Sequence, residues 1–468
     1  MQEATTRVQT DSISLVEKWI TGFSDLAWGT PLLILLLGGG LFFLIYSRML
    51  PFRYFRHAVS ILLGRYDNPD EPGQINHYQA LSTALAATVG MGNISGVALA
   101  ITMGGPGAIF WMWVSAILGV TTKYFTCTLA VLYRGRDSSG ELQGGPMYVI
   151  VEGLGRNWRP LAVFFSLLGM IGVLPMFQVN QLTQIVRDVV LIPYGVKAGF
   201  GTNLASGIMV AVVVGIVIFG GIRRIGKVTG RMVPLMVVLY VLSVLFIIFS
   251  NTDQILPSFA LIFRDAFSAD AVLGGSLGAL VVTGVRRAAF SNEAGIGTAP
   301  MAHGAAKTNE PVREGLVAML GPIVDTILVC TMTALALIIT GVWNVGEVDG
   351  ITLTAEAFEK AIPGAGALLL TFCVTIFALS TMLSFPYYGT KCFSFIFGTR
   401  YSFLYKWFYI LTIPVGATAT LGTVVGIFDG AYALMAFPTM ISALLLSPSV
   451  MRASKDYFKR LRNQSADE

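Results

Sequence analysis

The sequence predicts an all-α polytopic membrane protein, arranged as a five-plus-five inverted repeat with two broken helices and one extra N-terminal helix. Three observations predict it. The 468 residues are 54% hydrophobic and only 12% charged, with a mean hydropathy of +0.71, whereas a soluble protein carries about a quarter charged residues. Apolar runs long enough to cross a bilayer recur from end to end. In each half of the chain one such run is interrupted by glycine and polar residues. Such a pair at matching positions points to an inverted-repeat transporter with its site near the midplane.

Eleven spans follow from the pattern: 31–47, 78–103, 107–133, 161–190, 204–221, 232–249, 271–290, 315–343, 366–385, 403–425 and 431–446. The longest polar connections, 48–77, 134–160 and 342–365, are each the size of an amphipathic or re-entrant turn. The first 25 residues are polar and of mixed charge and precede a span expected to be permanent, so no cleavable signal is expected. Cys127, Cys330, Cys373 and Cys392 lie in or beside apolar runs without metal-like spacing and read as packing residues.

With the N-terminus outside, most of the 31 lysines and arginines fall in the cytoplasmic segments 48–77, 134–160, 222–231, 285–314, 391–406 and 452–462. The expected location is therefore the plasma (inner) membrane, multi-pass, with the C-terminus cytoplasmic. The net charge of +5 resides in short loops and implies no nucleic-acid partner. Setting the first span aside leaves two fives of opposite topology. The expected division is 1–77 for the extra helix and its connection, 78–250 and 251–450 for the two repeats, and 451–468 for a cytoplasmic tail.

The first interruption, Ala87-Thr-Val-Gly-Met-Gly-Asn-Ile-Ser-Gly96, is the most informative stretch. Broken backbone in hydrocarbon costs several kcal/mol per unpaired group, so it must face protein or a wet cavity. The amides near Gly90–Asn93 would begin the outer half-helix and favour an anion such as a carboxylate. The carbonyls from Ala86 to Val89 suit a small cation. The alternative is that Gly92 and Gly96 form a close-packing face alone, which leaves Thr88 and Asn93 unexplained. Ser380 and Thr381 offer hydroxyls to the same cation, or else bond their own preceding carbonyls. Gln178, Asn180, Gln181 and Gln184 lie within two helical turns, with Gln178 and Gln181 on one face; they either bind a ligand or join helices. The second interruption is Thr283-Gly-Val-Arg-Arg-Ala-Ala-Phe-Ser-Asn-Glu-Ala-Gly-Ile-Gly297. Lys123, Glu293 and Asp325 either function directly or form a structural ion network that includes Arg286 and Arg287. His57, His77 and His303 show no proton-relay spacing.

No filter loop, nucleotide-binding motif or nucleophile–base set is present, which argues against a channel, a primary pump and an enzyme. A secondary transporter remains, with no cofactor and no catalytic residue expected.

The residues also match a known family. Thr88-Val-Gly-Met-Gly-Asn-Ile94, Gly104-Gly-Pro-Gly-Ala-Ile-Phe-Trp-Met-Trp113, Gly144-Gly-Pro-Met-Tyr148 and Gly221-Ile-Arg-Arg-Ile-Gly-Lys-Val228 are four of its motifs. Phe290-Ser-Asn-Glu-Ala-Gly295, Ala302-His-Gly-Ala-Ala-Lys-Thr308, Asp325-Thr326 and Tyr387-Tyr-Gly389 are the others. Together they span about 80–390, and the chain resembles the alanine or glycine:cation symporters, a branch of the leucine-transporter-like fold. The resemblance implies Na⁺-coupled uptake of small neutral amino acids by alternating access. It implies a carboxylate on the amides of Met91 and Gly92, with Thr88, Gly90 and Asn93 nearby. It also implies Na⁺ between the carbonyls of Ala86, Val89 and Phe377 and the hydroxyls of Ser380 and Thr381. Phe290 and Phe385 would close the pocket, and Gln178 and Asn180, read from their amide side chains and not from the resemblance, are the further candidates for contact with the substrate. Na⁺, the amino acid and the bilayer are the expected partners, with no oligomer required. Leu174-Pro175 and Phe385-Pro386 depart from the family's usual Gly-Asn and Trp-Ser, where pocket wall is expected. The alternative is coupling to H⁺, or carriage of another neutral amino acid such as serine or glutamine.

Overall fold

The computed structural model describes Leu15 and residues 17–268, 276–344 and 350–467. Apart from one two-stranded hairpin, Gly135–Arg136 with Leu142–Gln143, its regular elements are helices. In chain order we label α1 Glu17–Ala27, α2 Thr30–Tyr46, α3 Phe55–Leu62, α4 His77–Thr88, α5 Met91–Gly104 and α6 Ala108–Leu132. Next come α7 Arg159–Gly172, α8 Met176–Ile185, α9 Phe200–Ile218, α10 Gly221–Phe249, α11 Ile255–Ala266, α12 Ser276–Asn292 and α13 Thr298–His303. Last are α14 Pro311–Thr340, α15 Gly350–Ala361, α16 Gly366–Phe397, α17 Ser402–Thr418 and α18 Leu421–Asp467.

Six of these helical runs are long and apolar enough to span a bilayer singly. Three further pairs, each bent by more than 40° at a short break, qualify together. Six spans, and up to nine if each bent pair is one span, are therefore supported among the described residues. Of the other two expected, 271–290 begins outside the described residues, and 403–425 is divided. Its helix ends at Thr418, and α18 starts at Leu421. Other boundaries move as well. The segment 222–231, expected as a connection, is helical and continuous with the span to Phe249. Residues 451–467, expected as a tail, prolong α18.

Local chemistry explains where helices begin and stop. Asn76 accepts from the Gln79 amide while Gln79 returns a bond to the Asn76 amide, a capping box that starts α4. Pro175 begins α8 after a kink, and Pro311 occupies the first turn of α14, where a missing N–H costs nothing. Outward faces are apolar: Ile208, Val212 and Ile216 on α9, and Leu235, Val238, Leu242 and Phe246 on α10, are all exposed. Stripes of this kind at one helical turn suit lipid, not water.

The first broken helix, α4–α5, bends by 42° at Val89-Gly90. α5 packs against α12, and α4 against α13 and α16. Both interrupted segments thus lie side by side in the interior, flanked by α6 and α16.

Candidate functional site

At the first break the backbone leaves helical geometry: Val89 is extended, and the outer half restarts at Met91. Thr381 of α16 fills the space that a side chain at position 90 would need; a Cβ there would lie 2.7 Å from Thr381 Oγ1. The Thr381 hydroxyl reaches the Ala86 carbonyl at 3.4 Å. Asn93 receives the Gly90 N–H on Oδ1 at 3.0 Å, which caps the outer half-helix. Met91 and Gly92 are its first two residues, whose N–H groups have no acceptor within the helix.

A small cavity adjoins this break, lined on one side by Ala87, Thr88, Met91, Gly92 and Thr381. Gln178, Phe290, Glu293, Phe385, Phe428 and Tyr432 complete the wall. Its free volume is about 10 Å³, close to one water molecule. Phe290 crowds it. The ring would stand 3.0 Å from a Cβ at Gly92, and it packs edge-on to Phe177 and Phe428 at 4.9 and 4.6 Å. Thr88 Oγ1 and Gln178 Oε1 are buried without a hydrogen-bond partner among the described residues. Buried polar atoms are nearly always paired, so these two are available to a ligand.

The expected residues divide into those at the cavity and those behind it. Thr88, Met91, Gly92, Gln178, Phe290, Phe385 and Thr381 line it, whereas Gly90 and Asn93 support it. Ser380, next to Thr381, and Phe377, one turn earlier, are both buried, and the Ser380 hydroxyl donates to the Phe377 carbonyl at 2.9 Å. Asn180 lies elsewhere. Its amide donates to the carbonyls of Gly416 and Ala419 at 3.1 and 2.8 Å, which joins α8 to the end of α17. It lines a separate polar cavity of about 220 Å³ with Gln184, Arg187 and Asn203. Gln181 is a joint too, accepting from Ser95 and from the Ile351 amide.

The expected ion network forms in part: Lys123 of α6 lies close enough to Glu293 and Asp325 for their charges to interact, but Arg286 and Arg287 do not join this group. Glu293 accepts from the hydroxyls of Thr298 and Tyr432 (the latter 2.8 Å) and contributes to the cavity wall. Asp325, in a π-helical stretch over Ile323–Cys330, holds Asn93 at 2.6 Å and Ser291 at 2.9 Å. That π-turn aims Asp325 at the residue that caps the break; such insertions are common at functional sites. Arg286 and Arg287 instead pair with Asp429 of α18, and Arg286 also reaches Asp25 at 2.8 Å. His77 and His303 meet on one carboxylate, Glu314. Phe428, Tyr432 and Glu314 carried no recognised signal in the sequence, because they lie at or near the edges of the expected spans, where the sequence does not tell which side chains turn inward.

The model of the sodium:alanine symporter family matches residues 13–468. The chain is 41% identical to an uncharacterized transporter of Haemophilus influenzae over 97% of its own length and 98% of the relative's. It is 40% identical to the sodium/alanine symporter AgcS of Methanococcus maripaludis, over 97% and 99%. Against the probable sodium/glutamine symporter GlnT of Bacillus subtilis the identity is 34%, over 93% and 90%. The chain belongs to the sodium:alanine symporter family.

Proposed function

We propose that this membrane protein carries a small neutral amino acid, alanine or glycine, into the cell together with Na⁺ by alternating access. Amino-acid:cation symport is the activity that its family and its relatives named as alanine and glutamine symporters support. The observation that carries the finer reading is the junction at Val89-Gly90, where unpaired amides, a carbonyl–hydroxyl contact and a closed cavity meet.

In this reading the substrate carboxylate sits on the amides of Met91 and Gly92, aided by the helix dipole. Thr88 and Gln178 supply hydrogen bonds to it or to the ammonium group. Na⁺ enters as a co-substrate between the carbonyls of Ala86, Val89 and Phe377 and the hydroxyls of Thr381 and Ser380. An all-oxygen set of this kind suits a hard cation. Because Ala86 and Val89 immediately precede the amides, a cation there steadies the backbone that holds the carboxylate, which couples the two ligands. Phe290 and Phe385 crowd the cavity wall, which limits the substrate side chain to a hydrogen or a methyl group. The two breaks allow the half-helices to tilt and expose the site to one side at a time. The basic end of the molecule faces the cytoplasm, in the plasma (inner) membrane, and one chain supplies the entire cavity wall.

A thermal-shift screen of amino acids with and without Na⁺, followed by counterflow in proteoliposomes, tests this reading. Alanine or glycine should stabilise the purified protein only when Na⁺ is present. Stabilisation by glutamine alone, or unaltered by Na⁺, would overturn the substrate or the coupling ion.

A further inference from the structure

The segments that the lysine and arginine pattern assigns to the cytoplasm bring together a cluster that the symport reading leaves unused. His77 is the first residue of α4, His303 the last of α13, and Glu314 lies near the start of α14. Each imidazole presents Nδ1 to a different oxygen of the one carboxylate: His303 to Oε1 at 2.5 Å, His77 to Oε2. All three side chains are at most 1% exposed. Both Nε2 atoms are buried without a hydrogen-bond partner among the described residues.

Proton accounting follows from this geometry. Each nitrogen–oxygen contact requires one proton between the two lone pairs, so two protons occupy the two contacts. With only those two, the cluster is a carboxylate flanked by two neutral imidazoles and carries one net negative charge in a dry site. A third proton on either Nε2 makes that ring an imidazolium, neutralises the cluster and turns one contact into a charge-assisted bond. Burial of an uncompensated charge is costly, and a third proton removes that charge from the three side chains. Arg134, just past the end of α6, donates to the carbonyls of Gly304, Thr308 and Pro72 at 2.8, 3.1 and 3.2 Å, and its charge and Cys127 of α6 are both near enough to act on Glu314. The other charged neighbours are engaged elsewhere. Glu71 lies 4.0 Å from Arg313, Arg313 covers the Tyr66 ring, and Glu310 pairs with Arg460 at 2.7 Å.

The position gives that proton a mechanical consequence. The lead-in to α4 is already laced to the exit of α13: the Gln74 amide donates to the Ala305 carbonyl at 2.8 Å, and the Lys307 amide to Ile75 at 2.6 Å. Glu314 joins this strap to α14, so both broken helices are fastened at one point. We propose that His77, Glu314 and His303 form a proton-binding clamp on the inner halves of the two broken helices, and that cytoplasmic acidification slows the transport cycle by tightening it.

Two measurements test the clamp. The chain contains three histidines, so ¹⁵N-histidine NMR on the His57→Gln protein in detergent observes only the two in question. Two rings that titrate jointly are expected, and Glu314→Gln should move that titration. The glutamine amide can accept from one imidazole and donate to the other, which keeps both contacts without the charge. In proteoliposomes, lowering lumenal pH on the cytoplasmic face from about 7.5 to about 5.5 should slow Na⁺-driven uptake roughly fivefold in wild type. Glu314→Gln should reduce that dependence to within about twofold. His57→Gln, outside the cluster, should leave the wild-type profile unchanged. Identical histidine titration, or an identical pH profile, in wild type and Glu314→Gln overturns the proposal. If Glu314→Gln does not fold, His77→Gln replaces it: the titration of the one remaining ring, His303, should move and the pH dependence of uptake should shrink, and no change in either overturns the proposal. The NMR arm needs no substrate, so it remains decisive even if the amino-acid symport reading itself fails.

Discussion

The two breaks are built in opposite ways. At Val89-Gly90 the chain removes side chains and leaves polar groups free: the amides of Met91 and Gly92 lack helical acceptors, and Thr88 Oγ1 has no partner among the described residues. At Glu293–Gly297 the break is longer and its side chains and carbonyls are engaged. Glu293, at φ 56°, accepts from Thr298 and Tyr432, Asn292 receives the Ala294 amide at 2.9 Å, and Thr439 donates to the Ile296 carbonyl at 3.0 Å. The first break keeps hydrogen-bonding capacity for a ligand, whereas the second spends it on its own shape. An interrupted helix is therefore a binding site only where its freed groups remain unclaimed.

Mutations that separate these roles should break or sharpen the contrast. The largest effect is expected from Gly92→Val, whose side chain would collide with Phe290 and cover the amides. Uptake should fall at least about 100-fold, roughly 3 kcal/mol, while the protein is still purified as a monodisperse species. Near-native amino-acid binding in that variant would reduce Gly92 to a packing residue. Gly297→Ala should do the reverse. At φ 109° a Cβ would lie 2.5 Å from Thr439 Oγ1 and 2.6 Å from the Phe165 ring, so a loss on the order of 3 kcal/mol of stability is expected. Folded yield and melting temperature measure it; an unaffected melting curve would show that the second break tolerates rearrangement.

Thr381→Ala removes one oxygen at the first break and leaves the second untouched. A lost ligand of this type is worth about 1–3 kcal/mol. The Na⁺ concentration for half-maximal uptake should rise about tenfold, and an unchanged value places the cation elsewhere. Glu293→Gln should leave that Na⁺ value within about twofold and lower thermal stability by about 1 kcal/mol, because one of two hydroxyl donors loses a charged acceptor. A large shift in Na⁺ dependence would move the second break into the coupling machinery. The mildest change is Phe385→Ala, which enlarges the wall without altering either backbone. Serine, threonine and valine should then compete better with labelled alanine, each by no more than ~1–3 kcal/mol. An unaltered order of competitors would remove Phe385 from the selectivity wall.

The sequence exposed the site on one side only. The break at Val89-Gly90 was legible because glycines and an asparagine contradict the apolar rule locally, and such contradictions need no knowledge of partners. The amide-rich run 178–184 was equally visible, but its roles were not. Gln178 reaches the cavity, while Asn180, two residues on, turns about 200° around the helix and fastens α8 to α17. Phe428 and Tyr432, which flank Asp429, entered the wall from the boundary between two expected spans, where nothing in the sequence told which face turns inward. The Glu314 cluster required His77 to meet a residue 237 positions away.

Composition, span pattern and the placement of glycine by themselves determined that this is a helical membrane protein with an interrupted core, because hydrocarbon imposes the same demand on every residue that enters it. Which buried polar group pairs with which was decided only by tertiary packing. Inside a membrane each such group must find a partner, and the partner is whichever helix face the packing brings within about 3 Å.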